Sequence, residues 1–226
     1  MNTNLMELVF ILDRSGSMGG LESDTVGGFN SMLAKQQGQD GECRITTVLF
    51  DHEYEILHDR IDIKAVSPIT EREYFVRGNT ALLDAIGKTI HKIGNTQKNT
   101  IEEYRAKKVL FVITTDGMEN TSREYTYDKI KSYIERQKSM YGWEFIFLGA
   151  DIDAVNVADR FGITSNRAQN FQKDPEGIRL KYRIVSDTVA SFRATPAAAP
   201  LADDWSAEID ADYKRRGGKS NGRQHS

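Results

Sequence analysis

Four short, nearly uninterrupted apolar runs punctuate the chain, at residues 8–12, 45–50, 109–113 and 145–148. Each is about five residues long and rich in branched or aromatic side chains, the pattern of strands buried on both faces. Residues 54–63 are apolar only at intervals, which suits an edge strand half open to water. Between the runs, apolar residues recur at helical spacing. Leu21, Val26, Phe29 and Leu33 share one face, and Leu82, Leu83, Ile86, Ile90 and Ile93 another. Tyr127, Ile130 and Ile134 predict a third helix, and Val155, Ala158 and Phe161 a short fourth. The clearest pattern is the last, Ile178, Tyr182, Val185, Val189 and Phe192, which follows Asp174 and Pro175, a helix start with proline at the first helical position.

Strands alternating with helices predict crossover connections and a mostly parallel sheet with helices on both faces. Residues 50 and 54 are too close for a crossover, so the second and third strands should form a hairpin with one antiparallel partner. After Phe192 the periodicity stops. An alanine–proline stretch, an acidic stretch around Trp205 and a basic end with glycines follow. The reading is a domain over residues 1–193 and a mostly disordered tail over 194–226, in which Trp205 is an anchor to a partner or to the domain itself. No internal repeat is visible.

Composition narrows this picture. The 226 residues suit one domain plus an appendage, and 39% apolar residues are enough for a sizeable core. A net charge of −3 gives no overall electrostatic reason for nucleic acid or a membrane as partner. The single cysteine, Cys43, excludes an internal disulfide, favours a reducing compartment and is expected at the base of the second strand. The first apolar run is too short to span a membrane, and Glu7 interrupts any targeting pattern, so the expected location is cytoplasmic.

In open α/β sheets, ligands bind beyond the carboxyl ends of the strands. Asp13-Arg14-Ser15-Gly16-Ser17 follows the first strand, Thr114-Thr115-Asp116-Gly117 the fourth, and Gly78-Asn79-Thr80 precedes the second helix. Asp13, Asp116, Ser15, Ser17 and Thr80 are all hard oxygen donors, suited to Mg²⁺, Mn²⁺ or Ca²⁺ rather than zinc or copper. Asp13, Ser15 and Ser17 alternate along the chain, so their side chains can converge.

These three segments, in this order and strand context, resemble the metal-ion-dependent adhesion site (MIDAS) of the von Willebrand factor A (VWA) domain, over residues 5–192. The resemblance implies a Rossmann-like, doubly wound, mostly parallel six-stranded sheet with one antiparallel edge strand. It implies that Asp13, Ser15, Ser17, Thr80 and Asp116 hold Mg²⁺ directly or through water, with Mn²⁺ or Ca²⁺ as alternatives. It further implies an open coordination position that takes an exposed Asp or Glu of a partner protein, without enzymatic turnover. Met18, Gly19 and Gly20 stand where adhesive integrin-type members carry acidic residues, and flanking cysteines are missing. Both departures point to an intracellular, bacterial- or phage-type member.

Two rival readings remain at this level. One is a Mg²⁺-dependent phosphoryl-transfer hydrolase using Asp13, although the position two residues on, where such enzymes place a general acid, is Ser15. The other is a scaffold with a vestigial metal site. Asp51, Glu119 and Asp151 are expected as solvated loop residues near the same rim, Asn120 and Thr121 as loop residues that can meet a partner. The four histidines, 52, 58, 91 and 225, are expected at the surface, and the aromatics of residues 143–147 in a core strand.

Overall fold

The computed structural model describes residues 5–218. Six strands, β1 (Met6–Asp13), β2 (Cys43–Phe50), β3 (Tyr54–Asp62), β4 (Lys108–Thr115), β5 (Glu144–Gly149) and β6 (Ala168–Asn170), form one sheet in the order β3-β2-β1-β4-β5-β6. β3 runs antiparallel to β2, as the short connection requires, and every other pairing is parallel. The helices are α1 (Glu22–Gln37), α2 (Leu82–Asn99), α3 (Tyr127–Tyr141), α4 (Ala154–Arg160), α5 (Pro175–Ala194) and α6 (Ala207–Arg215).

The uninterrupted apolar runs have a simple cause. Successive side chains of a strand point to opposite faces, and both faces here are covered. Leu8, Phe10 and Leu12 of β1 pack into one core with α1, α5 and α6, while Val9 and Ile11 pack into the other with α2, α3 and α4. Helix ends follow local chemistry. Asp174 caps α5 by accepting from the Gly177 N–H (2.8 Å), and α3 stops where Gly142 turns left-handed at φ 64°. Among the described residues no helix is long and apolar enough to cross a membrane.

Two expectations are corrected. Residues 201–215, assigned to a mostly disordered tail, are folded onto the domain. Leu201, Trp205 and Ile209 are buried in the core of α1 and α5, and α6 packs on α5 and β6. Trp205 Nε1 donates to the Asn166 carbonyl (2.8 Å), and Arg167 Nη2 to the Leu201 carbonyl (2.6 Å). Three large apolar side chains, too widely spaced to give a period, are enough once a partly finished core is there to receive them. The basic end of the expected tail beyond Gly218, and His225, lie outside the described residues. His58 is buried rather than superficial: it stacks on Phe29 and shares a 3.0 Å hydrogen bond with Thr47. Cys43 and Trp143 are buried as expected, Trp143 stacking on Phe111.

Candidate metal centre

The strand order changes direction around β1, with β2 on one side and β4 on the other, so a crevice opens at their carboxyl ends. The segment after β1, the segment after β4 and the residues before α2 meet there. Gly16 N–H donates to the Gly78 carbonyl (3.2 Å), and Asn120 N–H to the Thr80 carbonyl (3.1 Å). Tyr74 Oη donates to the Asp13 carbonyl (2.6 Å), and Arg77 N–H to the Arg14 carbonyl (2.9 Å), stitching the approach to α2 onto the end of β1.

All five expected residues sit in this crevice. Asp13, Ser15, Thr80 and Asp116 are buried, and Ser17 is exposed at its mouth. Asp13 Oδ1 accepts from the Ser15 N–H (2.7 Å) and Oδ2 from the Thr115 hydroxyl (2.5 Å). Ser17 donates to Asp116 Oδ1 (2.6 Å), and its oxygen lies 3.0 Å from that of Ser15. Thr80 joins from the other side. A β-carbon placed on Gly117 would lie 3.1 Å from Thr80 Oγ1 and 3.5 Å from Ser17 Oγ, so both hydroxyls face this glycine and a side chain there would crowd Thr80. Thr80 is oriented by Asn120, whose Oδ1 accepts its N–H (3.0 Å).

Burial pushes the Asp13 carboxyl up to about 6; hydrogen bonds from Thr115 and Ser15 pull it back, and the neighbouring Asp116 adds to the rise. Two buried carboxylates side by side want a cation. Among the described residues, no three His, Cys, Asp or Glu side chains are grouped so as to hold a metal ion. A cation here therefore depends on the hydroxyls. The donor set fits one: it is all oxygen, and the carboxylate of Asp116 and the hydroxyls of Ser17 and Ser15 already lie within 2.6 and 3.0 Å of one another, close enough to share one small, hard cation.

Several residues hold the site in ways the sequence did not predict. Arg14 is fully buried and pairs with Asp51 (Nε to Oδ2, 2.9 Å) and Glu55 (2.7 Å). Arg77 pairs with the same Asp51 oxygen (2.9 Å), so Asp51, expected as a solvated loop residue, is a buried anchor for two arginines. Its carboxyl is held below the usual range: burial opposes this, and the Glu53 backbone and the two guanidiniums outweigh burial. Alternation contained the signal for Arg14, since it must point away from Asp13 and Ser15, towards the hairpin. Glu119, also expected in solvent, accepts from the Leu83 N–H at the start of α2 (2.9 Å) and from Ser122. Asn120 serves Thr80 through its Oδ1 while the residue itself stays exposed. Asp84 accepts the N–H groups of Arg123, Glu124 and Tyr125, fixing the loop that follows Asp116. Lys173, just before α5, reaches Asp116 Oδ2 (2.9 Å) and the exposed Asp151 (3.2 Å), with no local pattern to announce it.

No family model matches the sequence, and no curated protein matches it. Solved structures do. A von Willebrand factor type A protein from Catenulispora acidiphila superposes with a TM-score of 0.56 at 11% identity, covering 83% of this chain and 43% of that one. The vWF domain of the type V pili tip protein Mfa5 from Porphyromonas gingivalis gives 0.58 at 12% identity, over 87% of this chain and 98% of that one. Proximal thread matrix protein 1 from the mussel byssus, solved with a zinc-occupied MIDAS motif, gives 0.54 at 12% identity, over 83% and 46%. The chain thus spans less than half the length of the Catenulispora and mussel chains. The fold is that of a VWA domain, a Rossmann-like α/β sheet of five parallel strands and one antiparallel strand, with helices on both faces.

Proposed function

We propose that this chain is a non-enzymatic, metal-dependent protein-interaction module of intracellular, bacterial or phage origin that works in the cytoplasm. The observation that supports it best is the convergence of Asp13, Ser15, Ser17, Thr80 and Asp116, from three separate segments, on the crevice beside β1. The VWA fold of neighbours, one with an occupied MIDAS, supports the general reading.

Asp13 and Asp116 supply two negative charges, and Ser15, Ser17 and Thr80 supply neutral oxygens for Mg²⁺, with Mn²⁺ and Ca²⁺ as alternatives. When bound, the ion offers a Lewis-acidic position to an exposed Asp or Glu of a partner protein. The chain's own part is preorganisation. Thr115 and the Ser15 N–H fix both oxygens of Asp13, Asn120 fixes Thr80, and the Arg14–Asp51–Arg77 cluster ties the hairpin to the rim.

The test is isothermal titration of the full chain with Mn²⁺, then probing of an array of Glu- and Asp-containing peptides with and without EDTA. One saturable site, lost in Asp13→Asn, and peptide capture lost in EDTA are expected. No saturable binding, or equal binding in Asp13→Asn, would sink the proposal.

A further inference from the structure

We propose that Lys173 is a tethered counter-cation of the rim, which holds Asp116 when no divalent ion is bound and must yield it when one enters. The proposal rests on the metal-site reading above.

The geometry is specific. Asp116 is buried, with one oxygen committed to Ser17. Its other oxygen, Oδ2, is also buried and accepts no hydrogen bond of good geometry; it makes a 2.9 Å ion pair with Lys173 Nζ. A buried carboxylate without a counter-charge is costly, and breaking such a pair costs more than the pair contributes. Lys173 therefore supplies Asp116 with a counter-charge in direct contact. Its ammonium lies between two carboxylates of different kinds. Asp116 belongs to the donor set, whereas Asp151 lies outside it, 3.2 Å from Lys173 Nζ and largely exposed. The Asp151 backbone is left-handed, at φ 53°, a conformation aspartate tolerates better than most residues. A lysine on a flexible stem can swing from the first to the second without leaving its anchor. Asp151 is thus a resting place for the ammonium while Asp116 faces the ion.

Competition of this kind lowers metal affinity and stabilises the metal-free protein. Lys173→Met should bind Mn²⁺ roughly fivefold more tightly than the wild type, the equivalent of a partly exposed ion pair. Lys173→Arg, which keeps the charge, should stay within about twofold of the wild type. The tightening should persist in about 0.5 M KCl, where only contact interactions survive screening.

Melting of the full chain supplies the second readout. In EDTA, Lys173→Met should melt below the wild type, because Asp116 loses its counter-ion. In saturating Mn²⁺ the two should melt together. A lysine with only a structural role would lower both curves alike, and that result overturns the proposal. So does unchanged or weaker Mn²⁺ binding by Lys173→Met, or a tightening abolished by salt, while the metal site itself stands. If the wild type binds no Mn²⁺, the metal-site reading fails first and this proposal with it.

Discussion

Lys181 offers the most quantitative check on how the core beneath the rim is built. It lies on α5, fully buried, with its ammonium 4.5 Å from the ring centres of both Phe171 and Tyr182. Burial pushes the amine down from its ordinary 10.5 to about 7, although the charges of Asp116 and Asp13 oppose the fall. Between those two values the unfolded chain carries a proton that the folded chain has released. Stability must therefore rise with pH across that window and fall as pH drops towards 7. The cost of Lys181, relative to a side chain with no charge, works out at about 4 kcal/mol at pH 7 and about 2 kcal/mol at pH 9. Methionine has a similar unbranched shape and no proton. The stability advantage of Lys181→Met over the wild type should thus shrink by about 2 kcal/mol between pH 7 and pH 9. Urea unfolding followed by far-UV circular dichroism, in EDTA so that no rim-bound cation adds its own pH dependence, measures it. Titrating groups remote from Lys181 are common to both proteins and cancel in the difference, and the Asp13 carboxyl that acts on it titrates below this pH range. A constant difference across this range would refute the reasoning.

Two further outcomes follow from packing. A β-carbon on Gly28 would overlap the ring of the buried Tyr182, where α1 crosses α5, so Gly28→Ala should lower stability by about 1–3 kcal/mol in the same urea assay. Trp205→Ala should cost about 3–5 kcal/mol and open residues 201–215 to amide hydrogen exchange ahead of β1 and β4; exchange across 201–215 as slow as in the wild type would refute its anchoring role.

The four central strands were legible because both sheet faces are covered, so Leu8 to Leu12 needed no polar break. α5 was legible from Asp174, Pro175 and five apolar residues in step. β6 was not: it is three residues, Ala168, Gln169 and Asn170, held by its neighbour β5 rather than by any pattern of its own. α6 was missed because Trp205 precedes it and Ile209 is its one buried apolar residue. In the crevice, the sequence exposed Asp13, Ser15 and Ser17 by their short spacing and Thr80 and Asp116 in two segments of their own, and the structure places all five there. It hid long-range partners. Arg77, Asp84 and Lys173 act on residues remote in the chain, and charge alone marks none of them out from the many other charged residues.

The borders of the sheet have a consequence for how this molecule behaves in a crowd. Long, flat, unpaired strands invite neighbouring copies to add their own, the first step towards fibres. On one side, β3 loses regular pairing with β2 between Ile45 and Val48, its Arg60 is twisted to φ 51°, and Asp59 and Asp62 flank it with charge. On the other, β6 stops after three residues, and α6 lies against it. A second copy arriving edge-on thus meets a kinked, charged ribbon or a stub. The very apolar strands between are shielded from edge-on addition by their own borders.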